Sequence, residues 1–250
     1  MDAVILAAGR GSRLGDITAQ SPKPMTPLAG KSLFDWQCES LRQAGVEQVS
    51  VVTGYGANAF DNFSGRRFHN PRWNNSNMVE SLRQAASVLT KATHIISYGD
   101  IAYQPDIVSQ LMNSSADIAV SCDLEWYALW KERFDDPLSD AETFLQADGK
   151  LLAIGERTLS LEQIQGQYMG LLKITPAGWH IIDTFLDSLT DEQVCKLDMT
   201  SLLRSLLSTG VDIEVVNIKG GWVEVDTPED LMLYEKLILA SGWSHDWRGV

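Results

Sequence analysis

The chain has 250 residues, with 33 Asp and Glu against 20 Lys and Arg, and so carries a formal charge of −13. Proteins that bind nucleic acid by neutralising its phosphates need a basic face, so this charge argues against a nucleic-acid partner. The hydrophobic fraction of 44% excludes a disordered or fibrous chain and predicts a sizeable core.

The cysteine pattern and the apolar runs exclude further classes. Cys38, Cys122 and Cys195 lie far apart and form no CxxC pair, so neither a disulfide framework nor a zinc knuckle is predicted. The apolar run at residues 3–8 is too short for a signal peptide, and no stretch approaches the roughly 18 apolar residues that span a bilayer. We therefore expect a soluble, cytoplasmic protein with no membrane partner.

Short β-rich runs alternate with amphipathic stretches along the whole chain. After the first run, Ser32 can cap a helix whose apolar face includes Phe34 and Leu41 and which ends at Gly45. Strand, helix, strand at this spacing predicts a Rossmann-like, three-layer α/β fold with a mostly parallel sheet. The predicted strands are residues 3–8, 49–53, 94–98, 118–121, 171–174, 213–218 and 223–225.

The middle of the chain, about residues 125–167, is less regular and is rich in Trp, Asp and Glu. We interpret it as a substrate-covering, lid-like insertion. No internal repeat, low-complexity tract or linker divides the chain, so a single domain is predicted for residues 1–250.

The first predicted strand leads into a loop with two glycines and two arginines. Ligands of open parallel sheets bind beyond the carboxyl ends of the strands. Glycines there let backbone N–H groups approach an anion, and arginines add positive charge, so we predict a phosphate-binding loop. The residues concerned are Leu6, Ala7, Ala8, Gly9, Arg10, Gly11, Ser12 and Arg13.

Two common phosphate loops fit this sequence poorly. A dinucleotide fingerprint would need a third glycine where Leu14 stands and an acid at the end of the second strand, where Thr53 and Gly54 stand. A Walker loop ending in Gly30-Lys31-Ser32 would need glycine where Met25 stands.

Lys23 lies between two prolines, which fix φ on either side and disfavour helix. An extended lysine close to the glycine and arginine loop is a candidate second phosphate contact. The alternative is a solvated lysine in a turn.

Acids follow the third and the last predicted strands. Asp100 comes directly after the third, while Glu224 and Asp226 lie two residues apart and so face the same way on a strand. Mg²⁺ binds a few carboxylates together with phosphate oxygens of a substrate, so these three acids predict a magnesium site. Singly, each acid could instead be a cap or turn residue. Thr227 is expected to cap a helix that begins at Pro228.

Two motifs together resemble a known family. The run Leu-Ala-Ala-Gly-x-Gly-x-Arg-Leu at residues 6–14 and Pro-Lys-Pro at residues 22–24 are similar to the signature of nucleotidyltransferases. These enzymes join a nucleoside triphosphate to a phosphorylated acceptor and release pyrophosphate. Within the family, the chain looks most like the small cytidylyltransferases that act on phosphocholine, aminoethylphosphonate or phosphoglutamine. The segments that carry this finer likeness are residues 70–73, 76–82, 129–134, 140–143 and 167–170.

The resemblance implies a chemistry. CMP would pass from CTP to a small phosphorylated acceptor, with Mg²⁺ as the cofactor. Asp100 and Asp226 match the two metal aspartates of the family, and Glu224 lies beside them as in the phosphocholine enzymes. Two residues would be catalytic: Arg13 would stabilise the departing pyrophosphate and Lys23 would bridge phosphate groups. The phosphoglutamine enzymes of this kind serve capsule modification, which implies a role in cell-surface polysaccharide modification.

Recognition of the two substrates rests on fewer signals. For the nucleotide, Tyr55, Asn77 and Ser81 are added to the loop residues as candidate contacts. For the acceptor, an aromatic wall could hold a cationic head group and two acids could pair with an amine. Core packing of the aromatic residues and solvation of the acids are the alternatives. The candidate acceptor residues are Trp126, Trp130, Asp140, Glu142, Tyr168 and Trp222.

Two other functions stay open. One is a sugar-1-phosphate nucleotidyltransferase that uses another triphosphate, and the other is a non-catalytic sensor that binds nucleotides. A sensor has no need of both metal and pyrophosphate ligands, so Arg13, Lys23, Asp100 and Asp226 argue against it. The sequence also leaves open the base, the acceptor, assembly into a homo-oligomer, and whether the tail at residues 243–250 packs on the domain or contacts a partner.

Overall fold

The computed structural model describes residues 1–249, in which strands and helices alternate as the sequence predicts. Its strands are β1 Asp2–Ala7, β2 Pro27–Leu28, β3 Lys31–Ser32, β4 Val49–Thr53, β5 Arg66–His69, β6 His94–Tyr98, β7 Ile101–Tyr103, β8 Ile118–Asp123, β9 Glu142–Ala147, β10 Lys150–Arg157, β11 Gln167–Ile174, β12 Glu214–Ile218 and β13 Trp222–Glu224. Its α-helices are α1 Leu33–Gln43, α2 Met78–Gln84, α3 Ala86–Leu89, α4 Pro105–Met112, α5 Trp126–Arg133, α6 Pro176–Asp187, α7 Asp191–Lys196, α8 Met199–Ser208 and α9 Pro228–Leu237.

Nine strands form one sheet, in the order β5-β4-β1-β6-β11-β8-β12-β10-β9. All except β10 and β11 run in the same direction. The carboxyl ends of β1, β4, β6, β8 and β12 therefore lie along one edge, where ligands of α/β sheets bind. The mostly parallel α/β sheet that the sequence predicts is confirmed.

Both faces of the sheet are covered by helices, and each face has its own apolar core. In β1, Ala3 and Ile5 belong to the core beneath α1, α4, α5 and α9, whereas Val4 and Leu6 belong to the core beneath α2, α3, α6 and α8. A strand buried on both faces needs apolar side chains at every position, which is why β1 has an unbroken apolar run. These three layers position the site.

Two helices begin at the predicted caps. The Ser32 hydroxyl accepts a hydrogen bond from the Asp35 backbone N–H at 3.0 Å at the start of α1. Thr227 and Asp230 cap α9 reciprocally, with Pro228 at its first position. This cap ends the preceding segment at Asp226 and holds that residue at the edge of the sheet.

A small second sheet joins two distant parts of the chain. β7 pairs antiparallel with β13, which places Ile101 opposite Glu224. The Val225 backbone N–H also donates to the Asp100 carbonyl oxygen at 2.9 Å. The acids of residues 100 and 224–226 meet because of this ladder.

Residues 125–167 are more regular than the sequence predicts. They contain α5 and the strands β9 and β10, which extend the large sheet beyond β12. This segment therefore forms one end of the sheet, and its closure over a substrate stays a prediction. Among residues 1–249, no helix combines the length and the apolarity that crossing a membrane requires.

Candidate active site

The loop after β1 lies against Lys23 and needs glycine to do so. Gly11 has φ +71°, and a Cβ there would be 2.7 Å from the Lys23 Cβ. Gly99, just before Asp100, has the same constraint, since a Cβ there would be 2.7 Å from the Leu6 carbonyl oxygen. A larger residue at either position would separate the loop, the lysine and the acid.

Lys23 bridges the two aspartates that the sequence analysis assigns to a metal. Its Nζ is 2.8 Å from Asp100 Oδ2 and 2.6 Å from Asp226 Oδ1, and its side chain is 11% exposed. Burial alone would lower the pKa of this ammonium, but the charges of Asp100 and Asp226 raise it overall. Arg13 joins the same group, with a guanidinium nitrogen 2.7 Å from Asp226 Oδ1.

Asp100, Glu224 and Asp226 form an acidic cluster in which one oxygen of each lies within 4.8 Å of the others. Among residues 1–249, the buried Asp100 Oδ1 has no hydrogen-bond partner. Burial and the neighbouring Asp226 charge raise the pKa of Glu224 to about 7. A divalent cation would relieve both features, so the cluster fits Mg²⁺, which takes carboxylate oxygens.

Arg133 is a member of this site that the sequence analysis did not assign. Its side chain is 1% exposed and lies 3.2 Å from Glu224 Oε2, 3.5 Å from Asp226 Oδ2 and 3.0 Å from Asp230 Oδ1. It therefore orients two of the three acids and offsets part of their charge. Its acidic partners all come from the far end of the chain, so the sequence around Arg133 gave no sign of these ion pairs.

One cavity opens on the glycine loop side of the acidic cluster. Trp73, which was not a candidate, forms one wall of it. Of the candidate nucleotide residues, Arg10, Ser12, Arg13 and Tyr55 lie outside this lining. The Arg10 guanidinium is 5.7 Å from the centre of the Tyr55 ring. Candidates that do line the cavity are Leu6, Ala7, Ala8, Gly9, Gly11, Lys23, Asn77, Ser81 and Asp100.

A second cavity also borders the cluster and is lined by Glu224, Asp226 and Arg13. Trp126 lies behind its wall, 4% exposed, with its ring 5.9 Å from that of Trp130. The other acceptor candidates line it: Trp130, Asp140, Glu142, Tyr168 and Trp222.

Arg157, Gln167 and Thr200 also line this second cavity and were not predicted. Arg157 is exposed on β10, and the structure brings it to the same wall as Glu142 of β9. The sequence analysis did not predict β9 or β10. Their antiparallel pairing places Arg157 beside Glu142.

Comparison with known proteins gives a consistent result. Residues 3–159 match the model of the MobA-like NTP transferase domain. The chain is 32% identical over 247 residues to CTP:phosphoglutamine cytidylyltransferase of Campylobacter jejuni, covering 92% of this chain and 98% of that protein.

Two solved structures share the fold. The inositol-1-phosphate CTP transferase from T. maritima matches with a TM-score of 0.74 at 20% identity, over 94% of this chain and 95% of that one. The CTP:phosphocholine cytidylyltransferase from Streptococcus pneumoniae matches with a TM-score of 0.67 at 18% identity, over 94% and 98%. At these identities the likeness concerns the fold alone.

Proposed function

The chain belongs to the MobA-like NTP transferase family and is a nucleotidyltransferase; from this premise we propose that it transfers CMP from CTP to a small phosphorylated acceptor and releases pyrophosphate. The observation that carries the proposal is that two cavities share one acidic cluster: Asp100 lines the first, Glu224 and Asp226 line the second, and Lys23 bridges Asp100 and Asp226. A nucleotide sensor would need only the first cavity. The choice of CTP is supported by the Campylobacter relative, which matches along nearly its whole length.

We propose that Asp100, Glu224 and Asp226 hold Mg²⁺. The ion would neutralise phosphate oxygens of the triphosphate and polarise its α-phosphate. Without this neutralisation, a triphosphate and a phosphate monoester would repel one another, since both are anions. Arg133 would keep Glu224 and Asp226 oriented through its ion pairs, and its buried side chain would not contact a substrate.

The reaction needs positioning and positive charge more than proton transfer. An oxygen of the acceptor phosphate attacks the α-phosphorus of CTP, the bond to the bridging β-phosphate oxygen breaks, and pyrophosphate leaves with the electron pair. Lys23 would contact the phosphate groups and Arg13 the departing pyrophosphate. The second pKa of a phosphate monoester is about 6, so the attacking group is ionised at neutral pH and needs no general base.

The nucleotide would occupy the cavity on the loop side. Backbone N–H groups of residues 8–11 would meet the phosphates, and Asn77 and Ser81, at the start of α2, would contact the base or ribose. Arg10 and Ser12, at the exposed end of the loop, would reach only the outer phosphates. Tyr55, whose hydroxyl donates to the Ala19 carbonyl oxygen, would hold the loop in place and would not contact the nucleotide.

The acceptor cavity favours a head group with both an ammonium and a carboxylate. Asp140 is engaged, because its Oδ2 accepts a hydrogen bond from Trp130 Nε1 at 3.2 Å. Glu142 has no side-chain hydrogen bond or ion pair within residues 1–249, and burial raises its pKa, so a bound ammonium would lower this pKa again and stabilise the charged carboxylate. Arg157, on the same wall, would take a carboxylate. Phosphoglutamine has both groups, whereas phosphocholine has no carboxylate.

Pyrophosphate release tests the proposal directly. Each of the four nucleoside triphosphates is combined with phosphoglutamine, phosphocholine, aminoethylphosphonate or a hexose 1-phosphate, with Mg²⁺ present. CTP with phosphoglutamine is expected to give the highest kcat/KM. Release only with a hexose phosphate and another triphosphate would identify a sugar-1-phosphate enzyme instead, and no release with any pair would favour a sensor. We further propose that the enzyme works in the cytoplasm and supplies activated groups for capsule or cell-surface polysaccharide modification.

A further inference from the structure

The C-terminal tail, defined as residues 242–248, is fastened to the core through a buried histidine. The His245 ring is fully buried, and its Nε2 is 2.9 Å from Asp123 Oδ2. Its Nδ1 is 3.0 Å from the Ser244 hydroxyl. Because both ring nitrogens have a polar partner, His245 makes specific polar contacts and does not serve only as an apolar core residue.

The carboxylate of Asp123, at the end of β8, forms hydrogen bonds with three segments of the chain. Its Oδ2 also accepts from Trp222 Nε1 at 2.9 Å. Its Oδ1 accepts from the Gly220 N–H and the Glu125 N–H, both at 2.9 Å. The tail, the turn before β13 and the residue before α5 are therefore held together. The turn before β13 continues into Trp222, and the residue before α5 precedes the helix that carries Trp130. Both Trp222 and Trp130 line the acceptor cavity.

The tail supports β13 from a second direction. The Trp243 ring stacks on Tyr234, with centroids 5.8 Å apart, and the Tyr234 hydroxyl donates to the Glu224 carbonyl oxygen at 2.8 Å. The Ser244 carbonyl oxygen accepts from the Gly221 N–H at 2.7 Å, and a Cβ on Gly220 would overlap that oxygen. The tail thus contacts the residue before β13 directly and the end of β13 through Tyr234 of α9.

The hydrogen bonds of the tail reach residues that lie away from the nucleotide cavity. Within residues 1–249, its hydrogen bonds reach Asp123, Gly221, Gln104 and Ile238. None of these residues lines the nucleotide cavity. Trp222 and Glu224, which the tail reaches through Asp123 and Tyr234, line the acceptor cavity and not the nucleotide cavity. Loss of the tail contacts should therefore loosen the acceptor side more than the nucleotide side.

We propose that the tail positions the wall of the acceptor cavity, with His245 as a positioning residue that acts through Asp123 on Trp222. This inference rests on the proposed function only in taking that cavity as the acceptor site. Trp222 is 1% exposed, so its indole has little freedom once both the aspartate and the neighbouring Trp130 ring hold it. A small displacement of Trp222 should weaken acceptor binding, because the wall would no longer match the shape of the acceptor.

The test compares His245→Met, which removes both polar contacts, with His245→Gln, whose amide can still donate to Asp123. His180→Met, at an exposed position of α6, is the matched control. The expected result for His245→Met is a rise in the acceptor KM of about tenfold, with a clearly smaller change in the KM for CTP. His245→Gln should recover most of the loss, and the control should match the wild type.

A second readout does not depend on turnover. Deuterium exchange of residues 220–226 should be faster in His245→Met than in the wild type, while residues 6–14 keep their rate. Wild-type protein that transfers to no acceptor would refute the proposed function, and the exchange of residues 220–226 would still decide the role of the tail.

Three results would overturn the inference. One is an unchanged acceptor KM in a folded His245→Met protein, another is an equal rise of both KM values, and the third is unchanged exchange at residues 220–226. If His245→Met does not fold, Ser244→Ala decides, because it removes only the contact to Nδ1. We expect a rise of about twofold to threefold in the acceptor KM alone, and no change would contradict the inference.

Discussion

Replacing Lys23 with methionine is expected to strengthen metal binding to the nucleotide-free protein while it abolishes most turnover. In the structure the ammonium lies 2.8 Å from Asp100 and 2.6 Å from Asp226, so it contacts the same oxygens that a metal ion would use. Two unit charges about 4 Å apart interact by about 1 kcal/mol at the dielectric constant of water, so a divalent ion and an ammonium repel by about 2 kcal/mol. This energy corresponds to about a thirtyfold change in Kd. Burial lowers the effective dielectric constant, which makes this figure a lower bound.

The measurement is titration of nucleotide-free protein with Mn²⁺, by calorimetry or electron paramagnetic resonance, at fixed pH and ionic strength. Lys31→Met is the matched control, since Lys31 is an exposed lysine paired with Glu39 away from the site. Its Mn²⁺ affinity should equal that of the wild type. If Lys23→Met bound Mn²⁺ no more tightly than the wild type, the ammonium and the metal would not share one position, and the account of the acidic cluster would be refuted.

Three other substitutions separate the parts of the site. Asp226→Ala should lower kcat about a hundredfold to a thousandfold in the pyrophosphate assay, with unchanged circular dichroism, and near-normal turnover would remove it from the mechanism. Glu142→Gln should raise KM about tenfold only for acceptors with an amine, and Arg157→Gln only for acceptors with a carboxylate; equal effects on phosphocholine and phosphoglutamine would argue against Arg157. Burial would raise the pKa of Asp123, but hydrogen bonds from His245 and other donors lower it overall, so its stabilisation is complete above about pH 4 and is lost as the pH falls through the lower folded-state pKa. Asp123→Asn should therefore lose most stability at pH 7 and progressively less below about pH 4, as measured by urea unfolding.

Local patterns in the sequence predicted the central part of the fold. The strands β1, β4 and β6 are mainly apolar and buried on both faces, and they were predicted to within one residue. Ser32 and Thr227 stood before apolar periodic segments, and both cap helices. The acids at residues 100 and 226 were assigned to one edge because carboxyl ends of parallel strands share an edge, and the structure brings them together by a different route, the antiparallel pairing of β7 with β13.

The remaining features depend on contacts that a local pattern does not contain. The edge strand β5 includes Arg66 and Arg67 and is mostly exposed, so it has no apolar run. Strands β9 and β10 pair with register shifts that interrupt the alternation of apolar and polar residues. The predicted strand at residues 223–225 forms as β13, but it pairs with β7 in a separate small sheet.

Residues of the site escaped prediction for a similar reason. Arg133 lies 97 positions before Asp230, and His245 lies 122 positions after Asp123. Nothing in the neighbourhood of either residue in the sequence marks it as part of a buried polar contact. Trp73 and Arg157 reach their cavities through loop and edge-strand geometry that only the folded chain defines.

The central claim is that two distant strand ends share one divalent ion beside the phosphates of a nucleotide. Anomalous diffraction from a crystal soaked with CTP and Mn²⁺ tests it most directly. The account predicts one anomalous peak in contact with carboxylate oxygens of both Asp100 and Asp226, and with the α-phosphate of CTP in the cavity lined by Asn77 and Ser81. Bound CTP with its metal held away from these two aspartates would contradict the account.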